Sequence, residues 1–218
     1  MYLASWSGGK DGCLACYRAL ARGIPVSCLL NTISEEYRRV RFHGTEARLI
    51  QLQAESIGLP LQQISTTADG YERQFNDAVR RLRPDGMVFG DIWLEEGRKW
   101  VEKVCDRLGI EPLFPLWGES PGAILDEFLD LGFRAVVVSA RADLFGAEWI
   151  GHPVDRTFVR HLVEKDIDPC GEGGEYHTLV TGGPMFSRPI RLIRTRPILR
   201  PGPDGTAYRF LDTVAYGL

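Results

Sequence analysis

Short apolar runs alternate with stretches of helical periodicity through the first half of the chain, the pattern of a parallel sheet covered by helices. Residues 2–6 read as a strand. Residues 11–22 follow with Cys13, Cys16, Tyr17 and Leu20 at the i, i+3, i+4, i+7 spacing of a one-faced helix, and Gly23 stands where a C-terminal cap glycine belongs. The unit then repeats. Strands are predicted over residues 25–32, 61–65 and 86–90. Helices are predicted over residues 46–57, with Thr45 as N-cap and Gly58 past the end, over Tyr71–Leu82, and over Glu95–Leu108, closed by Gly109. Four or five β–α units with short connections predict a doubly wound α/β sheet.

Near Leu116-Trp117-Gly118 the rhythm changes. Ser120 before Pro121 reads as an N-cap with proline in the first turn, and Ile124, Leu125, Phe128 and Leu129 carry a helix on to Gly132. Residues 134–139 are a β-branched run that reads as a buried strand. Beyond it glycine and proline become frequent and periodicity weakens. A domain boundary is expected at residue 118, giving units 1–118 and 119–218.

The 218 residues, 44% hydrophobic and 25% charged, have the composition of a soluble globular protein of one or two domains. No apolar run approaches the roughly 20 residues of a membrane span, and no signal-peptide layout opens the chain, so a cytoplasmic protein is expected. A net charge of −3 speaks against a general nucleic-acid coat. Arg188, Arg191, Arg194, Arg196 and Arg200 crowd one stretch without acidic residues; they form either a solvated strand pair or a contact surface for an acidic partner. A homodimer through the C-terminal region is expected.

Candidate chemistry begins at Ser5-Trp6-Ser7-Gly8-Gly9-Lys10-Asp11-Gly12, between the first strand and the first helix. A helix N-terminus presents unpaired N–H groups and a partial positive charge, and glycines let the backbone close around an anion. Ser7 adds a hydroxyl, Lys10 a mobile cation for phosphate oxygens, and Asp11 a carboxylate within reach of Mg2+. The frame is neither a Walker A loop nor a dinucleotide fingerprint. A Gly-Gly turn that merely joins strand to helix is the competing reading.

Ser7 to Asp11 resemble the Ser-Gly-Gly-x-Asp-Ser motif of the PP-loop ATP pyrophosphatases, with Gly12 departing where serine is usual. Further segments are similar to one branch of that superfamily, the diphthine–ammonia ligases and their bacterial relatives: Phe42-His43-Gly44, residues 53–61, Phe89-Gly90-Asp91-Ile92, residues 101–109, Pro115-Leu116-Trp117-Gly118, and above all residues 171–179, Gly-Glu-Gly-Gly-Glu-Tyr-His-Thr-Leu. The resemblance implies a Rossmann-like (HUP-type) sheet with a smaller C-terminal α+β domain. It implies an enzyme that cleaves ATP between the α and β phosphates, adenylates a carboxylate and amidates it with ammonium. The acceptor would be diphthine on an elongation factor 2-like protein, or another small carboxylate.

On this resemblance the nucleotide site comprises Ser5, Ser7, Gly8, Gly9, Lys10, Asp11, Gly12, Thr32, His43, Gly90 and Asp91, with Asp11 on the metal. Lys10, Glu172, Glu175 and His177 are the expected catalytic residues. Either glutamate can handle ammonium or orient the trimethylammonium of diphthine, and His177 can relay a proton. Gly171, Gly173, Gly174 and Thr178 are expected to close over the acyl group, and Trp149 to supply an aromatic wall. Solvated carboxylates, a loop histidine and a core tryptophan are the plainer alternatives.

Cys13 and Cys16 allow a rival. Some PP-loop enzymes thiolate transfer RNA through a cluster or persulfide, which needs a further ligand and a basic surface. These cysteines share the apolar helix face with Tyr17 and Leu20, so core packing is the expectation. A third reading is a nucleotide-binding protein with reduced catalysis, suggested by Gly12.

Overall fold

The computed structural model describes residues 1–202 and 205–218. Strands β1 (Tyr2–Ser5), β2 (Val26–Ser34), β3 (Leu61–Thr66), β4 (Gly86–Val88) and β5 (Glu111–Leu113) form one sheet; helices α1 (Lys10–Ala21), α2 (Ala47–Ile57), α3 (Tyr71–Leu82) and α4 (Glu95–Leu108) connect them. Successive strand residues point to opposite faces, and both faces are buried here. Leu3, Cys28, Leu30 and Met87 pack with Phe75, Ala78, Val79, Val101 and Val104 of α3 and α4. Ala4, Leu29 and Val88 face the opposite way, toward Cys13, Cys16, Leu49 and Ile50 of α1 and α2. This two-sided burial explains why the strands read as unbroken apolar runs.

All five strands are parallel, in the order β3-β2-β1-β4-β5. The winding therefore reverses between β1 and β4. Such a switch point leaves a crevice at the C-terminal strand ends, where ligands of doubly wound sheets bind. The predicted phosphate loop leaves β1 at this point, and Gly90-Asp91 leaves β4 beside it.

The rest of the chain contributes α5 (Pro121–Asp130), β6 (Arg134–Arg141), α6 (Arg156–Glu164), β7 (Tyr176–Gly182), β8 (Arg191–Pro201) and β9 (Ala207–Gly217). Its strands form an antiparallel sheet, β7-β6-β9-β8. The two sheets share one hydrophobic cluster that runs from α1 and α2 through Phe128, Phe133, Phe158 and Tyr176. Tyr17 meets Phe133 edge-on at 5.6 Å. Arg18 in the last turn of α1 donates to Pro115 O at 2.9 Å, to Glu119 at 2.5 Å, and to Glu127.

Several expectations are corrected. Glu46, not Thr45, holds the N-cap of α2, without a side-chain bond; Thr45 is buried instead. The β5 strand is only three residues with a central proline, too short to show a period. In β8 the alternation is broken by register shifts between Leu192 and Arg194 and between Arg194 and Thr195. Helix α6, not foreseen from the sequence, buries only Phe158 and Leu162 and is capped by Asp155, which accepts from Thr157 N and Phe158 N at 2.9 Å. The arginine-rich stretch is the exposed edge strand β8, and Arg196 pairs with Asp212. All five cysteines are free and buried, and burial drives the Cys16 thiol up to about 12. Cys13-x-x-Cys16 is core. No described helix is long and apolar enough to cross a membrane.

One side chain ties these parts together. Gln53 of α2 is fully buried, accepts from Trp6 Nε1 at 2.9 Å, and donates to Gly8 O at 2.9 Å and Val180 O at 2.7 Å. Gln53→Leu leaves these buried groups short of partners, at a cost of roughly 3–5 kcal/mol. Thermal unfolding of the variant is expected to start from a midpoint lower by roughly 10 °C; a shift under about 2 °C would show that the junction is dispensable.

Candidate active site

A cleft of about 310 Å³ opens at the switch point. Its floor is the loop that leaves β1. Gly8 sits at φ +84, and a Cβ there would lie 2.5 Å from Ile50 and 2.7 Å from Gln53, so only glycine fits. Gly8 O also accepts from Val180 N at 2.9 Å. Lys10 N donates to Thr178 Oγ1 at 3.0 Å. The loop is thus held on one side by α2 and on the other by β7. No side chain caps α1, and Lys10, Asp11 and Gly12 of its first turn line the cleft. An uncapped N-terminus facing a cavity is an anion site.

Gly12 has its own geometry. A Cβ on Gly90 would fall 2.7 Å from Gly12 N and 2.8 Å from Asp11 C, and one on Gly12 would fall 3.2 Å from Ser5 O. The end of β4 lies directly against the start of α1, leaving little room for the serine usual at position 12.

The opposite wall is the segment 168–178. Glu172 accepts from Ile92 N and Trp93 N at 2.8 Å and Leu94 N at 3.4 Å, so its carboxylate occupies the N-terminal end of α4. Asp168 fixes the segment further, accepting from Cys170 N, Glu172 N and Trp93 Nε1. Gly171 adopts φ +67 with Tyr176 where a Cβ would stand.

Charge inside the cleft is unevenly compensated. Lys10 is 3% exposed; its ammonium donates to Asp11 at 2.8 and 2.9 Å and to Cys170 O, 5.1 Å from the centre of the Tyr176 ring. Burial alone would favour the neutral amine, but Asp11, Tyr176 and Cys170 together outweigh it and hold the group cationic. Asp91 gains no such partner. Burial, then the charges of Glu172 and Asp11, push its carboxyl up to about 6. His43 bonds to Thr178 O through Nδ1 at 3.0 Å and lies 4.6 Å from the His177 ring. Burial takes His43 down to about 4 and His177 well below its usual value. Both rings are neutral at physiological pH, so His177 offers a ring face in place of the expected proton relay near pH 7.

Two family models match the chain. Residues 2–112 match the diphthamide synthase N-terminal domain, and residues 120–198 the diphthamide synthase C-terminal domain. The chain belongs to the diphthamide synthase family. Among curated relatives, the diphthine–ammonia ligase of Danio rerio is 28% identical over 88% of this chain and 86% of its own length. Those of Bos taurus and Homo sapiens are 28% and 27% identical over 84% of this chain and 79% of their lengths. A solved structure from Methanocaldococcus jannaschii, described as a predicted subunit of tRNA methyltransferase, aligns over 84% of this chain and 97% of its own, with 15% identity and a TM-score of 0.48.

Of the residues expected from sequence, Ser5, Ser7, Gly9, Lys10, Asp11, Gly12, His43, Gly90, Asp91, Gly171, Glu172, His177 and Thr178 line this diphthamide synthase cleft. Gly8 lies behind the floor. Thr32, Gly173 and Gly174 are not on the lining. Glu175 is not on it either, and its Oε2 is buried without a partner among the described residues. Trp149 stacks on His161 at 4.2 Å and packs against Phe158 at 5.5 Å, away from the cleft. Sequence reading missed Gln53, Asp168 and Tyr176. Gln53 carried a faint signal as a polar residue inside an apolar helix pattern.

The raised Asp91 carboxyl sets a pH dependence. Between the unfolded value near 4 and the folded value of about 6, the folded state holds more protons, so stability falls as pH rises through this window. Asp91→Asn is expected to raise stability at pH 7.5 by about 1–3 kcal/mol, with the gain gone near pH 4. Denaturant melts at the two pH values check the sign; an equal effect at both would remove Asp91 as the titrating group.

Proposed function

We propose that this chain is an ATP-dependent ligase that adenylates a carboxylate and transfers it to ammonia, with diphthine on an elongation factor 2-like protein as acceptor. Membership of the diphthamide synthase family supports the ligase class, and the names of the relatives support the acceptor. The observation that carries the reading is the meeting of both family segments in one cleft. Thr178 Oγ1 takes the Lys10 N–H, and Glu172 takes the amides before α4.

In this reading residues 1–118 hold ATP and residues 119–218 complete the acceptor side. The open end of α1, with Ser7, Gly9 and Lys10, receives the phosphates. The acceptor carboxylate oxygen attacks the α-phosphorus, the bond to the β-phosphate oxygen breaks, and pyrophosphate leaves. Ammonia then attacks the acyl carbon and AMP departs, leaving the amide. Ammonium must lose a proton first. Asp91, with its raised carboxyl pKa and its place on the cleft wall, is the proton acceptor in reach; the Glu172 carboxylate is occupied by amides.

No group of three or more acidic, histidine or cysteine side chains forms a ready-made metal cage among the described residues. Asp11 suits Mg2+, which commonly takes one or two carboxylates and fills its shell with phosphate oxygens and water. Bound there, it would neutralise charge on the phosphates. The thiolation rival loses its cysteine pair, since both thiols are buried in the core.

Sustained AMP and pyrophosphate release, measured with ATP, ammonium and diphthine-bearing elongation factor, is expected only when all three are present; without ammonium, pyrophosphate release stops after the adenylation step. Lys10→Met is expected to lower turnover by about 100-fold or more. Unchanged ATP affinity and turnover in that variant would move the phosphate site elsewhere.

A further inference from the structure

The loop between β2 and α2 carries a feature that adenylation does not use. Phe42 is 78% exposed with its backbone at φ +62, and His43 N donates to Arg41 O at 2.7 Å, closing a three-residue turn around it. The positive-φ form of such a turn is rare and strained, and a bulky residue there is an outlier. Stability gives no reason for it, since the ring stays mostly in solvent and glycine would take the turn freely. Strain of this kind gathers at functional sites.

What the turn achieves is placement. It holds the Phe42 ring beside His177, centroids 6.3 Å apart and planes at 35°, and His177 lines the cleft. Both histidines are half-buried, and desolvation lowers their pKa values, so they present π faces without positive charge. Two neighbouring cations are held away from the pair: Arg41 donates to Thr66 Oγ1 at 3.0 Å and Thr66 O at 2.9 Å and lies over the Tyr71 ring, and Lys10 pairs with Asp11. The cleft wall beyond carries the Asp91 and Glu172 carboxylates.

We propose that Phe42 and His177 form a seat for a quaternary ammonium group on the acceptor. The inference rests on the ligase reading above, in which the acceptor, diphthine, bears a trimethylammonium. Such a group has no N–H to donate. It is recognised by aromatic faces at close range and by nearby negative charge, and the rim of this cleft offers both. The seat takes the part expected of Trp149, which packs elsewhere.

The test uses the full chain and choline as probe, with 3,3-dimethyl-1-butanol as its uncharged isostere, each titrated by ligand-observed NMR. The isostere is expected to bind at least about tenfold more weakly than choline. Phe42→Leu keeps bulk but removes the π face, and is expected to weaken choline about three- to thirtyfold; Phe42→Tyr retains binding. Phe42→Gly is expected to melt no lower than the parent while losing choline, which separates a binding role from a structural one. Equal binding of choline and its isostere, or unchanged choline binding in Phe42→Leu, overturns the seat. No turnover is required. A chain that binds choline through Phe42 yet releases no AMP retains the seat and refutes the ligase reading; one that adenylates with indifference to Phe42 does the reverse.

Discussion

The cleft depends on the three hydrogen bonds of Gln53. A glycine-rich turn has little to fix it, because glycine gives up more conformational freedom than any other residue on folding. Here the turn is fixed from outside. Gln53 bonds to Trp6 at one end of the loop, to Gly8 in its middle and to Val180 of the second sheet, while Val180 N and Thr178 Oγ1 take Gly8 O and Lys10 N. All of this lies in the dry core, where an unmade hydrogen bond is expensive. The same burial that makes the network costly to break gives the loop one conformation.

Electrostatics in the cleft follows from that dryness. Burial works against the Lys10 charge, and Asp11, with Tyr176 and Cys170 beside it, more than restores it. Glu172 takes backbone amides of the segment just before α4. Asp91 has neither kind of help, and its carboxyl rises to about 6. Three acids in one cavity thus have different surroundings: Asp11 faces the Lys10 ammonium, Glu172 takes main-chain amides, and Asp91, without a cation, has a carboxyl raised toward neutrality.

The doubly wound sheet was legible because its signal is local. Leu3 and Ala4, or Met87 and Val88, declare two buried faces within a few residues, and each glycine after a helix marks an end. The phosphate loop was legible for the same reason. The long hairpin was legible only as a solvated strand pair around the arginines, since register shifts around Arg194 blur the alternation that fixes a strand's bounds. The site was only half legible. Position in the chain told that Asp11, Asp91 and Glu172 belong to functional segments; it could not tell that Glu172 would be taken up by the main-chain amides just before α4, or that Glu175 would be off the lining. Those outcomes depend on contacts across about 80 residues of chain, which no local pattern encodes. The resemblance of residues 171–179 to a known family supplied the distant half of the cleft before any geometry did.

The hydrophobic cluster common to both sheets has a consequence for modularity. Residue 118 separates two patterns of sequence, yet the interior on either side is one solid, and the anion loop of the first half takes its backbone partners from the second. The N-terminal half is therefore not a transferable nucleotide-binding cassette. Insertions and fusions between the halves are tolerable in length, but neither half can be exchanged without its counterpart's β7 or α2, so the pair is constrained to change together.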